Sequence, residues 1–419
     1  MHASSPALLL SPPVPADEPP PPSGMHFPPH RLSALRRALT ADPVAYAAQR
    51  NDVGPAVTAL SPYVTHGLLP AAELFALWRE RFGLTLDDAL LRQLAWRGFF
   101  RHVRDRLGDA ILSDVRPAAH APTVPYAKDL PEDLLTARTG VRVIDESVKQ
   151  LYASGWLHNH QRLWLASYCV HLRKLHWRVG ADWMYGHLLD GDVASNHLSW
   201  QWVAGTFSSK PYLFNAANVA RFAPHLASPG SVIDTDYETL AQIAATAPDV
   251  GPAPCRAPAT EVPPLRQRPV QRVAAADFAR LTRERKVALL HPWSLDRRPA
   301  AECVLGVILL PFHARFPWSD MRWDFVLTRM RSLCDAIWIG RPAQLAPLLA
   351  GCTQASSSLP PEPDYATALS SLKVRFDTPI PWLPEPDRAM PSFSAWMRWM
   401  REAHPELFAP ERAHARRLH

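Results

Sequence analysis

The stretch that decides the fold lies near the middle of the chain and reads Gly155-Trp156-Leu157-His158-Asn159-His160-Gln161-Arg162. It is followed by Asp190-Gly191-Asp192-Val193-Ala194-Ser195-Asn196 and then by Trp200-Gln201-Trp202. Core packing does not require carboxylates, an amide and a guanidinium among tryptophans, because a buried charge is costly unless it is paired. An ion pair between Arg162 and Asp190 in these aromatic surroundings therefore predicts a site for a polar ligand.

The order and spacing of these three segments resemble the flavin-binding domain of the DNA photolyase/cryptochrome family. That domain is marked by G-W-x-H-N-x-x-R, then D-G-D-x-A-x-N, then W-Q-W, and all three motifs occur here in that order. The resemblance extends from about Arg31 to Pro224, a little under half of the chain. It implies an all-helical domain that binds FAD.

The spacing of apolar residues predicts helices in the first part of the chain and a parallel sheet in the second. From Arg31 to about Ala245 apolar residues recur at intervals of three to four, which is typical of amphipathic helices. Short apolar runs predict buried strands at 286–291, 303–310 and 335–340, with a helix over 321–334. The predicted fold is mainly α, with a helical photolyase-type domain followed by a smaller α/β domain of the Rossmann type.

Composition divides the chain into five segments. Residues 1–30 are mostly Pro, Ser and Ala and are predicted to be a disordered tail. The many prolines from 248 onward predict a linker over 248–285, between a helical domain at 31–247 and an α/β domain at 286–390. Residues 391–419 are predicted to be a C-terminal helix with a basic tail. The α/β segment resembles the family's antenna domain in a circularly permuted position, and no motif identifies an antenna chromophore.

The resemblance assigns a set of residues to the flavin. A flavin needs polar groups for its diphosphate, an apolar slot for its ring and a tuned polar group near N5. The residues implied are Thr58, Leu60 and Ser61 in the phosphate loop with Tyr46 just upstream, Asp192 at the ribityl or adenosine region, Arg162 and Asp190 beside the isoalloxazine, and Asn196 facing N5. Arg97 is a further cofactor-binding residue implied by the resemblance. As alternatives, Ser61-Pro62 could simply begin a helix, and Asp190-Gly191-Asp192 alone is typical of a solvated turn. The position of that turn between Arg162 and Asn196 argues against the second alternative.

Photochemistry of this class also needs a supply of electrons. Trp200 and Trp177 match the first two tryptophans of the family's electron-transfer chain. The third would fall near Val124, where the sequence has no tryptophan, and Tyr126 is the nearest replacement. With 15 tryptophans in the chain, any single one is also an ordinary candidate for the core.

The predicted substrate pocket is a mixture of retained and replaced residues. Trp96 and Trp202 stand at the two positions where the family stacks a flipped pyrimidine pair, and Asn159 is retained. Gln93 replaces a glutamate, Leu163 a methionine and His160 an arginine. In addition, the family's W-R-E-F reads Trp96-Arg97-Gly98-Phe99 here. The subclass that repairs (6-4) photoproducts has histidines at Asn159 and Leu163, so the resemblance disfavours that chemistry.

Composition limits the possible partners and location. The formal charge of +6 and the pI of about 9.2 favour a polyanionic partner, although a general bias toward Arg, Ala and Pro explains them equally well. The five cysteines have no C-x-x-C spacing, which predicts reduced thiols in the cytoplasm and no metal site. No apolar run is long enough to span a bilayer, and the opening Ala7-Leu8-Leu9-Leu10 is too short for a signal peptide.

Three functions are therefore open. The first is an FAD-dependent lyase that splits cyclobutane pyrimidine dimers in UV-damaged DNA under blue light. The second is a cryptochrome-like photoreceptor that keeps the flavin but does not repair DNA. The third is a degenerate flavoprotein or DNA-binding relic, which the intact set of Arg162, Asp190 and Asn196 argues against. Fold-level kinship alone does not decide among them.

Overall fold

The computed structural model describes residues 26–54, 56–118, 125–246, 248–255, 257–271, 276–377 and 382–410. Most of the predicted tail (residues 1–25) and Val124 lie outside these ranges. The last residues of the predicted tail do not behave as a disordered segment. Phe27 is buried, and the guanidinium of Arg37 lies 5.1 Å from the centre of its ring.

The first part of the described chain is helical, as predicted. Its α-helices are α1 Arg31–Leu39, α2 Pro43–Gln49, α3 Ser61–Thr65, α4 Ala71–Phe82, α5 Ala89–Leu107, α6 Glu132–Leu135, α7 Arg142–Ser154, α8 Asn159–Ser167, α9 Trp177–His187, α10 Val193–Ala204, α11 Ala216–Phe222 and α12 Tyr237–Thr246. A π-helical turn over Tyr168–Leu172 extends α8, and 3₁₀ turns occupy Gly108–Leu112 and Pro224–Leu226. None of the helices in the described ranges is long and apolar enough to cross a membrane.

The second part of the chain contains the predicted parallel sheet. The strands are β1 Leu265–Arg266, β2 Lys286–Leu290, β3 Cys303–Leu309, β4 Trp318–Ser319, β5 Ala336–Gly340, β6 Gln354–Ser358 and β7 Arg375–Asp377. The helices are α13 Phe278–Thr282, α14 Leu310–Arg315, α15 Asp320–Leu333, α16 Pro342–Leu349, α17 Pro363–Ser371 and α18 Phe393–Ala403, followed by a 3₁₀ turn at Pro405–Phe408.

Five of these strands form one parallel sheet in the order β5-β3-β2-β6-β7. The order reverses between β2 and β6, which is the arrangement of a doubly wound Rossmann-type sheet. The three predicted strands and the predicted helix are confirmed within a residue or two. Strands β6 and β7 were not predicted, because β6 reads Gln-Ala-Ser-Ser-Ser and has no apolar run. Strands β1 and β4 pair separately as an antiparallel ribbon.

Buried apolar residues form two clusters. One combines residues of α1, α3, α4 and α5 with the whole parallel sheet and α18. The other lies within the helices from α6 to α12. The early helices therefore share their core with the sheet, and the sequence boundaries of the two domains stay a proposal. The proline-rich segment lies against the helical part, since the backbone amides of Ala253 and Thr260 donate to the carbonyls of Thr139 and Thr136 at 3.0 and 2.9 Å.

Candidate cofactor site

A cavity of about 320 Å³ opens among α5, α8, α9 and α10 and the loop before α3. Its size lies within the range usual for small-molecule sites. Most of the predicted site residues line it: Tyr46, Thr58, Leu60, Ser61, Gln93, Trp96, Arg97, Asn159, Arg162, Leu163, Asp190, Asp192, Asn196 and Trp200. Among the described residues, the lining does not include Trp177, His160 or Trp202.

The ion pair predicted from the sequence is present on one wall of the cavity. Arg162 Nη2 donates to Asp190 Oδ2 at 2.7 Å, and Arg162 Nε donates to the carbonyl of Leu157 at 3.0 Å. The Asp190 side chain is 3% exposed and that of Arg162 25%. The other carboxylate oxygen of Asp190, Oδ1, is buried without a hydrogen-bond partner in the described part of the protein. Since buried acceptors are nearly always satisfied, this oxygen suits an N–H donor of a bound ligand.

A second carboxylate, that of Asp192, caps the N-terminus of α10 and forms ion pairs with two arginines. Its Oδ1 accepts from the backbone amide of Ser195 at 2.8 Å, which caps the helix. Its Oδ2 accepts from Arg97 at 3.2 Å and from Arg101 at 3.1 Å. Burial would raise the pKa of Asp192, but the charges of Arg97 and Arg101 and the Ser195 amide outweigh burial and lower it. Of the two guanidinium groups, that of Arg97 lines the cavity, and a guanidinium at this position suits the diphosphate of a dinucleotide.

Asn196 and Trp200 lie one turn apart on α10 and therefore share the face that lines the cavity. Asn196 Nδ2 donates to the carbonyl of Ala181 at 2.8 Å, so its Oδ1 is the side-chain atom left to accept from a ligand. Trp200 is buried and packs with the edge of its ring against Gly180 of α9. The arrangement places a fixed amide acceptor and an oxidisable ring side by side.

The wall opposite α10 is formed by the loop before α3. Ala59 has φ of 48°, a left-handed conformation that is strained for a residue other than glycine. Thr58 and Ser61 flank it, and Ser61 Oγ accepts from Trp156 Nε1 at 3.1 Å. Tyr46 lies nearby on α2, and burial raises the pKa of its phenol, so that it stays a neutral hydrogen-bonding group. These hydroxyls suit the phosphate side of a nucleotide ligand.

The predicted substrate residues do not form one open pocket. Gln93, Asn159 and Leu163 line the cavity, with Gln93 and Asn159 exposed at its mouth. His160 instead packs its ring on those of His158 and Phe222, with centroids 5.6 and 5.0 Å apart. Trp202 is 38% exposed and packs against Tyr212.

One face of Trp96 is covered by the C-terminal helix. The rings of Trp96 and Phe393 are stacked with centroids 3.8 Å apart and an interplanar angle of 12°. Gly98 of α5 faces the same C-terminal part of the chain, since a Cβ there would lie 3.1 Å from Leu383 Cδ1 and 3.2 Å from the Trp396 ring, closer than most side-chain contacts. The surface that the sequence assigned to base stacking is therefore partly occupied by α18.

Of the predicted electron-transfer residues, Trp200 lines the cavity, whereas Trp177 and Tyr126 are not among its described lining residues. Trp177 is buried in the first turn of α9. Its ring stacks on His176 with centroids 5.8 Å apart, and His176 contacts Tyr126 edge-on at 6.1 Å. In this set of ring contacts, His176 lies between Trp177 and Tyr126, which do not contact each other directly.

Sequence reasoning missed two arginines that hold this site together. Arg101, on the same face of α5 as Arg97, binds Asp192 and also donates to the carbonyl of Pro361. Arg322 of α15 is fully buried and donates to the carbonyls of Tyr185 and Gly191 at 2.9 and 2.6 Å. A Cβ at Gly191 would overlap its guanidinium, which explains the glycine between Asp190 and Asp192. The position of Arg101 four residues after Arg97 was a usable signal, whereas Arg322 is 131 residues away from Gly191.

Replacing Arg322 with methionine should destabilise the fold by about 3 kcal/mol. The substitution keeps an apolar side chain between Trp318 and Tyr185 but leaves two buried carbonyls without their charged donor. Urea unfolding followed by circular dichroism measures the effect. Arg331→Met, an exposed position on the same helix, is the matched control. Equal unfolding free energies for the two variants would contradict the assigned role of Arg322.

Comparisons with known proteins relate part of the chain to photolyases and cryptochromes. Residues 90–248 match the family model for the FAD binding domain of DNA photolyase. Over 155 residues, 36% of this chain and 33% of the relative, the sequence is 40% identical to the deoxyribodipyrimidine photo-lyase of Streptomyces griseus. Over 118 residues, 28% of this chain and 23% of the relative, it is 31% identical to the cryptochrome DASH of Gloeobacter violaceus. The chain thus spans about a third of the length of the first curated relatives it matches.

Among solved structures, a cryptochrome of Synechocystis sp. PCC6803 aligns with a TM-score of 0.43 and 23% identity, covering 48% of this chain and 44% of that chain. Residues 90–248 are similar to the FAD binding domain of DNA photolyase. The resemblance to photolyases and cryptochromes, and FAD as the cofactor, are confirmed.

Proposed function

We propose that this chain is a light-driven FAD flavoprotein of the photolyase type, a lyase that splits cyclobutane pyrimidine dimers in UV-damaged DNA. The observation that carries the proposal is the buried Oδ1 of Asp190, which has no hydrogen-bond partner among the described residues and lies beside the Arg162 ion pair at the edge of the cavity. The five free cysteines support the cytoplasm as its location.

In this proposal FAD supplies the light-absorbing, one-electron chemistry, and the protein holds and tunes it. Asp190, fixed by Arg162, would accept a hydrogen bond from the ring. Arg97, held with Asp192 by Arg101, and the hydroxyls before α3 would hold the phosphate side. Asn196 offers an acceptor at the reactive edge, and Trp200 is the adjacent electron donor. The apolar side chains of the cavity exclude water from the ring.

We also propose that the segment 286–390 is an antenna-type domain that follows the FAD-binding part instead of preceding it. The doubly wound strand order supports this assignment. The sequence boundaries at 31–247, 248–285 and 391–419 belong to the same proposal.

A repair assay tests the proposed function. The protein loaded with FAD is mixed with an oligonucleotide containing one thymine dimer, single- or double-stranded, and exposed to blue light or kept dark. We expect dimer loss only in the light. We also expect binding that weakens with added salt, because phosphate contacts release counterions. Light-dependent flavin chemistry without dimer loss would reject the lyase and leave the photoreceptor.

The cryptochrome-like photoreceptor is the second candidate, and one observation favours it. Phe393 covers a face of Trp96 at 3.8 Å, and Trp202 lies outside the cavity lining among the described residues. A flipped base pair needs open aromatic faces to stack on. A chain that signals instead of repairing DNA has no such requirement.

Replacing Phe393 with alanine separates these two candidates. If the cavity accepts a dimer, uncovering Trp96 should tighten binding of dimer-containing DNA by about 1–3 kcal/mol, the usual worth of one stacked base. Fluorescence anisotropy with damaged and undamaged strands measures this difference. Met397→Ala is the matched control, because it also truncates a buried residue of α18. If both variants bind damaged and intact DNA equally, the cavity is not a dimer site.

A further inference from the structure

Trp177 carries a contact that the electron-transfer assignment does not explain. Its indole Nε1 donates to Asp114 Oδ1 at 2.6 Å, a short, charge-assisted hydrogen bond. The Trp177 ring is 3% exposed, whereas Asp114 is exposed on the loop after the 3₁₀ turn Gly108–Leu112. The indole N–H is thus joined through one carboxylate to solvent.

The position of Trp177 makes this contact relevant to the cofactor. Trp200 lines the cavity and packs against Gly180, which lies one turn after Trp177 on the same face of α9. An electron leaving Trp200 is therefore replaced most directly from Trp177. In the described part of the chain, the aromatic neighbours of Trp177 are His176 and His197, with centroids 5.8 and 6.4 Å away. The sequence has no tryptophan between Phe100 and Trp156 that could be a further donor.

One-electron oxidation makes an indole N–H far more acidic, because the positive charge is spread over the ring that holds the proton. A carboxylate already hydrogen-bonded to that proton can accept it without rearrangement. We propose that Asp114 is the proton acceptor for oxidised Trp177, so that the chain of electron donors ends at its second member as a neutral tryptophan radical. This inference rests on the proposed function, since it requires a photoexcited flavin in the cavity.

The step is balanced in electrons and protons. With excited FAD as the electron acceptor, Trp200 would give up one electron, and Trp177 would pass one electron to Trp200, which would return to its neutral state. The Nε1–H bond of Trp177 breaks and an O–H bond forms on Asp114, which becomes neutral. The exposed carboxyl group then exchanges its proton with water. Return of the electron from the flavin to the oxidised tryptophan would then be slower, because the tryptophan is a neutral radical and no longer a cation.

Other nearby groups are less suitable as the acceptor. Asp182 already accepts from Arg178 and lies against His197 Nε2 at 2.9 Å. Burial, with the Asp114 charge, raises the pKa of Tyr126 to about 12, and among the described ring contacts Tyr126 touches His176 and not Trp177. Asp114 is the carboxylate that touches the reacting N–H.

The test compares Asp114→Asn with the parent protein. Asparagine can still accept the indole hydrogen bond through its oxygen but cannot take the proton. In flash photolysis of the FAD-loaded protein, the tryptophan radical cation should convert to the neutral radical about 10²-fold more slowly in the variant. Conversion in the parent should slow in D₂O. Asp52→Asn, an exposed carboxylate that no described contact joins to Trp177, is the matched control. Conversion in Asp114→Asn at the parent rate would overturn the proposal.

A second measurement needs no flavin. The indole N–H resonance of Trp177 in cofactor-free protein, assigned by its loss in Trp177→Phe, should shift in Asp114→Ala. An unchanged resonance would mean that the hydrogen bond is absent, which would also overturn the proposal. If the proposed function is wrong, the measurements give a different pattern of results. In that case FAD is not bound, or Trp177→Phe leaves photoreduction unchanged, while the resonance still shifts.

Discussion

Replacing Asp190 with alanine is expected to yield protein that loses FAD during purification. The substitution removes both the partner of Arg162 and the buried Oδ1 that has no acceptor role within the described protein. Breaking an ion pair costs about 3–5 kcal/mol when both groups are buried, and the 25% exposure of Arg162 reduces this. We expect about 2 kcal/mol of lost stability and roughly a hundredfold weaker FAD binding, or about 2.7 kcal/mol.

Isothermal titration of the cofactor-free protein with FAD measures the affinity, and urea unfolding without FAD measures the stability. Asp190→Asn keeps the shape and one acceptor oxygen, so its loss of affinity should lie between parent and alanine variant. Asp129→Ala, at an exposed carboxylate, is the control. An Asp190→Ala protein that keeps FAD through gel filtration would remove the main support for the proposed site.

Much of the cofactor site could be predicted because its residues are close in sequence. Arg162 lies at the end of one motif, and the other carries Asp190, Asp192 and Asn196 within seven positions. Helix geometry then brings them together, since Asp192 caps α10 and Asn196 and Trp200 follow at one-turn intervals. The sequence motifs and the geometry of α10 predict the same grouping of residues, and the structure places these residues around one cavity.

The contacts that could not be predicted join distant parts of the chain. Arg322 reaches the turn at Gly191 from α15, and Phe393 reaches Trp96 from the C-terminal helix. Neither partner carries a local sequence signal, because a buried arginine and a buried phenylalanine look like any other residue of a helix. Gly98 is a weak local sign of this packing, because it marks a place on α5 where Leu383 and Trp396 approach closely.

The prediction with the largest kinetic effect concerns Trp200. Phenylalanine fills most of the same buried space beside Gly180 but is far harder to oxidise, so Trp200→Phe should retain FAD and lose photoreduction. We expect the rate under blue light with a thiol donor to fall about 10²-fold, which corresponds to about 2.7 kcal/mol in the activation barrier. The bleaching of the oxidised flavin absorption band measures it.

The matched control is Trp164→Phe, because Trp164 is also fully buried in the helical part, but its indole donates to Asn218 and it is absent from the cavity lining. Both variants remove the same ring from a core, so any loss through packing should be shared. Only the loss of the electron donor is specific to Trp200. Equal photoreduction in Trp200→Phe and the parent would show that electrons reach the flavin by another path. Equal slowing in Trp164→Phe would mean that packing alone sets the rate.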